Sequence, residues 1–179
     1  MKNRPTPEFI AECFDYNPET GVVTWKDRPR AHFSCDDYWK AFNARHSGRV
    51  AGCKDSNSDY RVIKMFGRHH FEHRVVWVLL TGAWPTKMVD HRNGVPGDNR
   101  AINLREASLC ENARNAKKSC RNTSGVKGVS WDRRKGKWRA RLRVGKKPVL
   151  DKRVNDLAEA ERIIKKAREE LHRDFTNHG

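Results

Sequence analysis

Val89-Asp90-His91-Arg92-Asn93-Gly94, then Asp98-Asn99-Arg100-Ala101-Ile102-Asn103-Leu104-Arg105, then Glu111-Asn112 form the stretch on which the reading of this chain turns. Two short extended pieces flank a polar loop, and a helix follows. Ser108-Leu109-Cys110-Glu111 has the S-x-x-E form of a capping box, which starts that helix at Ser108. The residue types suit cleavage of a phosphodiester. An attacking water must lose a proton, the charge gathering on phosphorus must be neutralised, and the leaving 3′-oxygen must be stabilised. A histidine titrating near neutrality suits the first task, and one hard cation held by oxygen ligands suits the other two. Asp90 and His91 are adjacent, so on an extended strand they point to opposite faces. Where the strand twists into a loop, both can line one cleft. Asn112 lies one turn into the capped helix, able to turn its amide oxygen to the same cleft, and Asn115 shares its helical face.

Working outward, residues 8–26 read as a short helix and a hairpin, with Asn17-Pro18-Glu19-Thr20-Gly21 as the turn. Residues 27–48 hold Phe33, Tyr38, Trp39 and Phe42 and read as either a helix or an ordered loop. A second hairpin is expected on either side of Phe66-Gly67-Arg68. From Glu72 to Thr81 the apolar positions predict a helix buried on most sides, stopped by Gly82 and Pro85. His69-His70-x-x-His73 lacks the acidic or thiol partner of a zinc site, so His73 is expected to cap or pack at the helix start. After a polar, basic linker at 117–124, strands are expected at 126–133, 137–144 and 147–154. A final helix over 156–174 carries Leu157, Ala160, Ile163, Ile164, Ala167 and Leu171 on one face.

The composition fits small sub-domains better than one large core: 36% of residues are hydrophobic and 34% charged. The formal net charge of +16 is self-repelling in water but becomes binding energy against a polyanion, through counterion release. It is also unevenly placed. Between Lys117 and Arg153 there are 15 Lys and Arg against Asp132 and Asp151 only, whereas the terminal helix is nearly neutral. Five scattered cysteines without a C-x-x-C argue against a disulfide scaffold and a four-cysteine zinc site, and suit a reducing cytosol. The longest apolar run, Val75 to Leu80, is too short to span a bilayer, and the first residues lack the apolar core of a signal peptide. A cytoplasmic location is expected, that of the host cell if the gene is phage-borne, with no membrane and no small-molecule cofactor.

Asp90-His91, Asn103 twelve residues after the histidine and Asn112 nine residues later resemble the HNH nucleases of ββα-metal fold. The similarity is to phage and intron-encoded homing endonucleases in which the last His is replaced by Asn. The flanks His73-Arg74-Val75-Val76-Trp77, Thr81-Gly82-Ala83-Trp84-Pro85 and Asp98-Asn99-Arg100 are typical of that group, and Phe14 to Trp25 is similar to the hairpin that often precedes it. The resemblance covers roughly residues 9–116. It implies His91 as general base, Asp90 and Asn112 as ligands of one metal ion per active site, and Asn103 orienting either the histidine or the loop. Asn112 in place of a histidine favours Mg²⁺ or Mn²⁺. Read singly, each of these residues is as compatible with a turn or a cap; the joint spacing and the flanks carry the case.

In Lys137-Trp138-Arg139-Ala140-Arg141-Leu142-Arg143-Val144, even positions are apolar and odd ones basic. The odd face offers a row of arginines suited to a major groove, either reading guanine edges or meeting phosphates only. Ser124 to Trp131 and Gly136 to Leu142 look like an AP2 domain, a three-stranded sheet on one helix that binds DNA with the sheet. That resemblance covers about residues 122–175. It implies DNA contacts from Lys127, Arg139, Arg141 and Arg143, with Trp131 and Trp138 supporting the sheet; Arg133, in the basic run ahead of the strand, joins them as an expected DNA contact. Strand three, Leu150-Asp151-Lys152-Arg153-Val154, departs from the pattern.

The expectation is thus an α+β protein. An accessory hairpin segment (1–48) precedes a ββα-metal HNH core (49–116), a linker (117–124) and an AP2-like DNA-binding domain (125–179). The function expected is metal-dependent endonuclease action on double-stranded DNA, of homing type. The alternative is a non-catalytic DNA-binding regulator with a degenerate core. A non-specific nuclease would make an arginine-rich reader superfluous.

Overall fold

A computed structural model describes residues 4–116, 118–145, 147–172 and 176–178. Lys117, Lys146 and Arg173, which contribute to the expected linker, basic run and final helix, lie outside the described residues. Contacts divide the chain into two compact units, Met1–Glu106 and Ala107–Gly179. This division falls ahead of the expected linker and groups the helix bearing Asn112 with the second unit.

In the first unit, α1 (Pro7–Cys13) begins at Thr6, whose hydroxyl accepts from the Phe9 amide at 3.2 Å. Strands β1 (Phe14–Tyr16) and β2 (Val23–Trp25) form the expected antiparallel hairpin. The Asn17 side chain fixes its turn by accepting from the amides of Glu19 and Thr20. The open stretch 27–48 contains a helix, α2 (Asp36–His46). Trp39 Nε1 and Asn43 Nδ2 both donate to the Arg28 carbonyl, which anchors it. Strands β3 (Cys53–Lys54), β4 (Arg61–Met65) and β5 (Arg68–Phe71) make an antiparallel sheet with β4 in the middle. Helix α3 (Glu72–Thr81) follows at the expected limits and ends on Gly82 in the left-handed region. It is buried on most sides: Val75, Val76 and Val78 join Ile10, Phe14, Val23 and Ile63 in one core. Strand β6 (Met88–His91) pairs with β7 (Leu104–Ala107).

The second unit opens with α4 (Leu109–Asn115), where the capping box is formed as read from sequence. The Ser108 hydroxyl accepts from the Glu111 amide, and the Glu111 carboxylate accepts from the Ser108 amide at 2.8 Å. The far end of α4 is tied to the residues that follow. Lys127 Nζ donates to the carbonyls of Arg114 and Ala116, and Asn177 Nδ2 donates to that of Asn115. These bonds are why α4 groups with the C-terminal unit. Strands β8 (Val129–Asp132), β9 (Lys137–Val144) and β10 (Lys147–Val154) form an antiparallel sheet in the order β10-β9-β8. Helix α5 (Leu157–His172) packs on it. Val129, Ala140, Leu142, Ala160 and Ile164 make the core, flanked by Trp138, Val154 and Ile163. The expected apolar face of the helix needs one correction. Leu171 is 44% exposed, and Arg168, only 1% exposed, is the buried residue of the last turns.

Candidate active site

His91 ends β6 and is buried. Its Nε2 lies 3.0 Å from Asn99 Oδ1, Asn99 Nδ2 donates to Glu72 Oε1 at 3.0 Å, and Arg61 Nε donates to Glu72 Oε2 at 2.9 Å. Arg61 Nη2 closes the chain on the carbonyl of Ala51 at 3.0 Å. The order of donors settles the state of the imidazole. Glu72 is paired with a guanidinium and accepts, so Asn99 must present its NH₂ to Glu72 and its oxygen to His91. An oxygen there only accepts; Nε2 therefore carries a proton, which in the neutral ring puts the lone pair on Nδ1. Burial raises the Glu72 carboxyl above its ordinary range, while Arg61 and the Asn99 bond act to lower it.

Asp90 points the other way, as strand alternation requires. Arg105 Nε and Nη2 both lie 2.9 Å from its Oδ2, and both side chains are buried. Asn103 resolves the open choice between histidine and loop in favour of the loop. Its Nδ2 donates to the Asp98 carbonyl at 2.7 Å and to Asn93 Oδ1 at 3.1 Å, while its Oδ1 accepts from the Asn93 amide at 3.0 Å. The residue that touches His91 is Asn99. Within the same loop, Arg100 grips Asp98 with Nε at 2.7 Å and Nη2 at 2.6 Å, and these bonds hold the Asp98 carboxyl down to about 2.

The N-terminal hairpin buttresses this loop. Tyr16 Oη donates to the Asn99 carbonyl at 2.8 Å, and the Ala101 amide donates to the Pro18 carbonyl at 3.0 Å. Gly21, at φ +76°, has no room for a side chain: a Cβ would fall 2.6 Å from the Arg100 nitrogen. His73 packs, as expected of a residue at a helix start. Its ring lies edge-on to His91 at 5.2 Å and stacked on Phe71 at 5.6 Å. Burial, with His91 and Arg74 beside it, lowers its imidazole to about 3.

Asn112 sits on α4 with its amide donating to the Ser108 carbonyl at 2.9 Å, one turn into the helix as read from sequence. On the C-terminal sheet the arginine row is not bare. Arg139 holds Asp151 with Nε at 2.7 Å and Nη2 at 2.5 Å, and Arg153 Nε donates to Asp132 at 2.8 Å. Arg141 stands opposite Asp151 in register, with its Nε 3.9 Å from that carboxylate. Arg143 and, in the β8–β9 turn, Arg133 are exposed. Lys127 departs from expectation. Its three ammonium donors go to the carbonyls of Arg114, Ala116 and Asn177, so it anchors α4 rather than facing a ligand of the sheet.

Sequence reasoning did not single out the roles of Asn99, Glu72, Arg61 and Arg105. Asn99 had a signal in the Asp98-Asn99-Arg100 triplet. Glu72 had none, because a carboxylate at a helix start is normally a solvated cap residue.

Residues 70–114 match the family model described as HNH endonuclease, which places an HNH endonuclease domain over α3, β6, β7 and most of α4. Protein 3.8 of Escherichia phage T7 is 36% identical over 114 residues, covering 63% of this chain and 93% of that protein. This chain belongs to the family of T7 Protein 3.8. No solved structure matches it.

Proposed function

We propose that the protein is a metal-dependent, homing-type HNH endonuclease that hydrolyses duplex DNA, with His91 as general base and the C-terminal unit as an AP2-like DNA holder. The observation that carries the catalytic part is the buried relay His91–Asn99–Glu72–Arg61, which leaves the imidazole lone pair on Nδ1. An imidazole held in one tautomer and one orientation is what proton abstraction from an attacking water requires. Asp90 and Asn112 would hold the metal; both are assigned by their sequence spacing and the resemblance. The donors fit a hard divalent cation, Mg²⁺ or Mn²⁺, being a carboxylate and an amide oxygen with no thiolate among them. Such an ion neutralises charge on the phosphate and stabilises the leaving 3′-oxygen. Arg105 holds the Asp90 carboxylate in place, and Asn103 holds the loop between the two strands. The products are expected to carry 5′-phosphate and 3′-hydroxyl ends. Support for the DNA-holding part comes from the basic sheet, where Arg133, Arg139, Arg141 and Arg143 remain the proposed contacts and Lys127 is withdrawn.

The test is incubation of supercoiled plasmid with Mg²⁺, with and without EDTA, using wild type and His91→Ala. Cleavage that EDTA stops, and that His91→Ala slows about 10²–10⁴-fold while DNA binding persists, supports the reading. Wild-type cutting by the variant removes His91 from the mechanism. DNA binding with no cleavage by wild type in any divalent metal favours the regulator with a degenerate core.

A further inference from the structure

We propose that the cavity bounded by α4, the start of β8 and the end of β9 is a binding site for a phosphate-sized oxyanion. Its volume is about 290 Å³, and its lining includes Arg114, Lys127, Arg143 and Arg168, with no acidic residue among the described ones.

Two of these cations, the buried Arg168 and the half-buried Lys127, pair with no carboxylate among the described residues. Arg168 is 1% exposed. Its Nη2 donates to the Lys127 carbonyl at 2.5 Å and its Nη1 to His178 Nδ1 at 3.3 Å, neither of them a carboxylate. Lys127 donates only to backbone carbonyls. Neither forms an ion pair among the described residues. Glu169, on the same helix, is turned to His178 at 3.4 Å. Buried guanidinium groups are ordinarily paired, because desolvating an uncompensated charge is costly. Burial first, and then the neighbouring Arg168, push the Lys127 amine down to about 8. An anion in the cavity would pair with Arg168 directly and offset the Lys127 charge through space, the three Lys127 donors staying on their carbonyls.

Gly128 lines the cavity at φ +79°; a Cβ there would fall 3.1 Å from Arg168 Nη2 and from the Arg141 carbonyl, so the glycine leaves Arg168 its place in the wall. Arg143, exposed at the mouth, and Arg114 add forked donors, which match the oxygen edges of a phosphoryl group better than a point charge does. The occupant is either a phosphate of the DNA backbone or a free phosphate or nucleotide phosphate. The first would place a backbone contact beside α4, the helix that bears Asn112. The inference does not depend on catalysis, since its first arm uses no DNA.

The full-length chain is unfolded thermally while phosphate replaces chloride at fixed ionic strength and pH. A saturable rise in melting temperature is expected; the non-specific stabilisation that phosphate gives by exclusion from the protein surface would be unsaturable and common to all variants. Arg168→Met should lose the rise and, without phosphate, melt no lower than wild type. Arg143→Gln at the mouth serves if Arg168→Met fails to fold, and should raise the half-saturating phosphate concentration about two- to fivefold. No saturable rise in wild type, or an equal rise in the variants that fold, overturns the site. Duplex binding against salt then distinguishes the source. If a DNA phosphate fills the cavity, phosphate competes with the duplex in wild type at fixed ionic strength, and the salt slope of Arg168→Met drops by about one. Its affinity loss between 50 and 200 mM salt is then smaller by a factor of about 3.5. Unchanged duplex binding, alongside a phosphate effect that the variant loses, assigns the site to a free phosphate or nucleotide.

Discussion

Replacing Asn99 by alanine tests whether the relay orients the base or only fills the core. The side chain makes two buried hydrogen bonds, one to the His91 imidazole and one to the Glu72 carboxylate. At roughly 1 kcal/mol for the neutral bond and 1.5–3 for the charged one, Asn99→Ala should cost about 2.5–4 kcal/mol of stability. In a unit of this size that is a melting shift of about 10 °C or more. The catalytic effect is separate. With Oδ1 gone, nothing at position 99 selects the Nε2–H tautomer, and single-turnover cleavage of supercoiled plasmid should slow by about 10–10², below the full loss of a general base. Asn99→Asp supplies the discriminating control. A carboxylate there still accepts from Nε2, but adds negative charge to the imidazole and faces Glu72. It should keep measurable cleavage while moving the acid limb of the pH–rate profile upward. A variant Asn99→Ala that melts lower yet cuts at the wild-type rate would refute the orienting role, and one with unchanged melting would refute the bonds themselves.

Three further outcomes are expected. Asp90→Ala and Asn112→Ala should each raise the Mg²⁺ or Mn²⁺ concentration needed for half-maximal cleavage; an unchanged metal titration in either variant strikes that residue from the ligand set. His73 is neutral in the fold, with its imidazole at about 3 against 6.5 for an unfolded chain. The unfolded state therefore binds the extra proton, and stability should fall as pH drops from 6.5 towards 3, by at most ~1.4 kcal/mol per pH unit. His73→Phe should flatten that slope in urea melts at pH 7 and 5, and an identical slope would show that another group is responsible. Asp151 lies among Arg139, Arg141 and Arg153, so Asp151→Asn should tighten duplex binding and steepen its salt dependence by about one; weaker binding by a normally folded variant would mean the arginines depend on Asp151 for their placement.

The elements of this chain were largely legible because their periodicities are local. Helix α3 matched its apolar pattern from Glu72 to Thr81, the capping box at Ser108 and Glu111 formed, and β9 alternated as Lys137 to Val144 required. The spacing of Asp90, His91, Asn103 and Asn112 likewise pointed to an HNH core, and the match over residues 70–114 agrees. What each polar side chain touches was decided elsewhere. Asn99 and Asn103 stand four positions apart in one loop, and no pattern tells which of them meets His91. Glu72, 27 residues from Asn99, is aimed at it only because α3 packs beside the loop. Lys127 was read as a DNA contact from the AP2 resemblance and Asp151 as one of two acids in a basic run, yet one is spent on backbone carbonyls and the other sits within the arginine row. Periodicity determines which face of an element is apolar, since that depends on neighbours in sequence. The partner of a buried polar group depends on which other groups are excluded from water with it, and only the packed tertiary structure decides that.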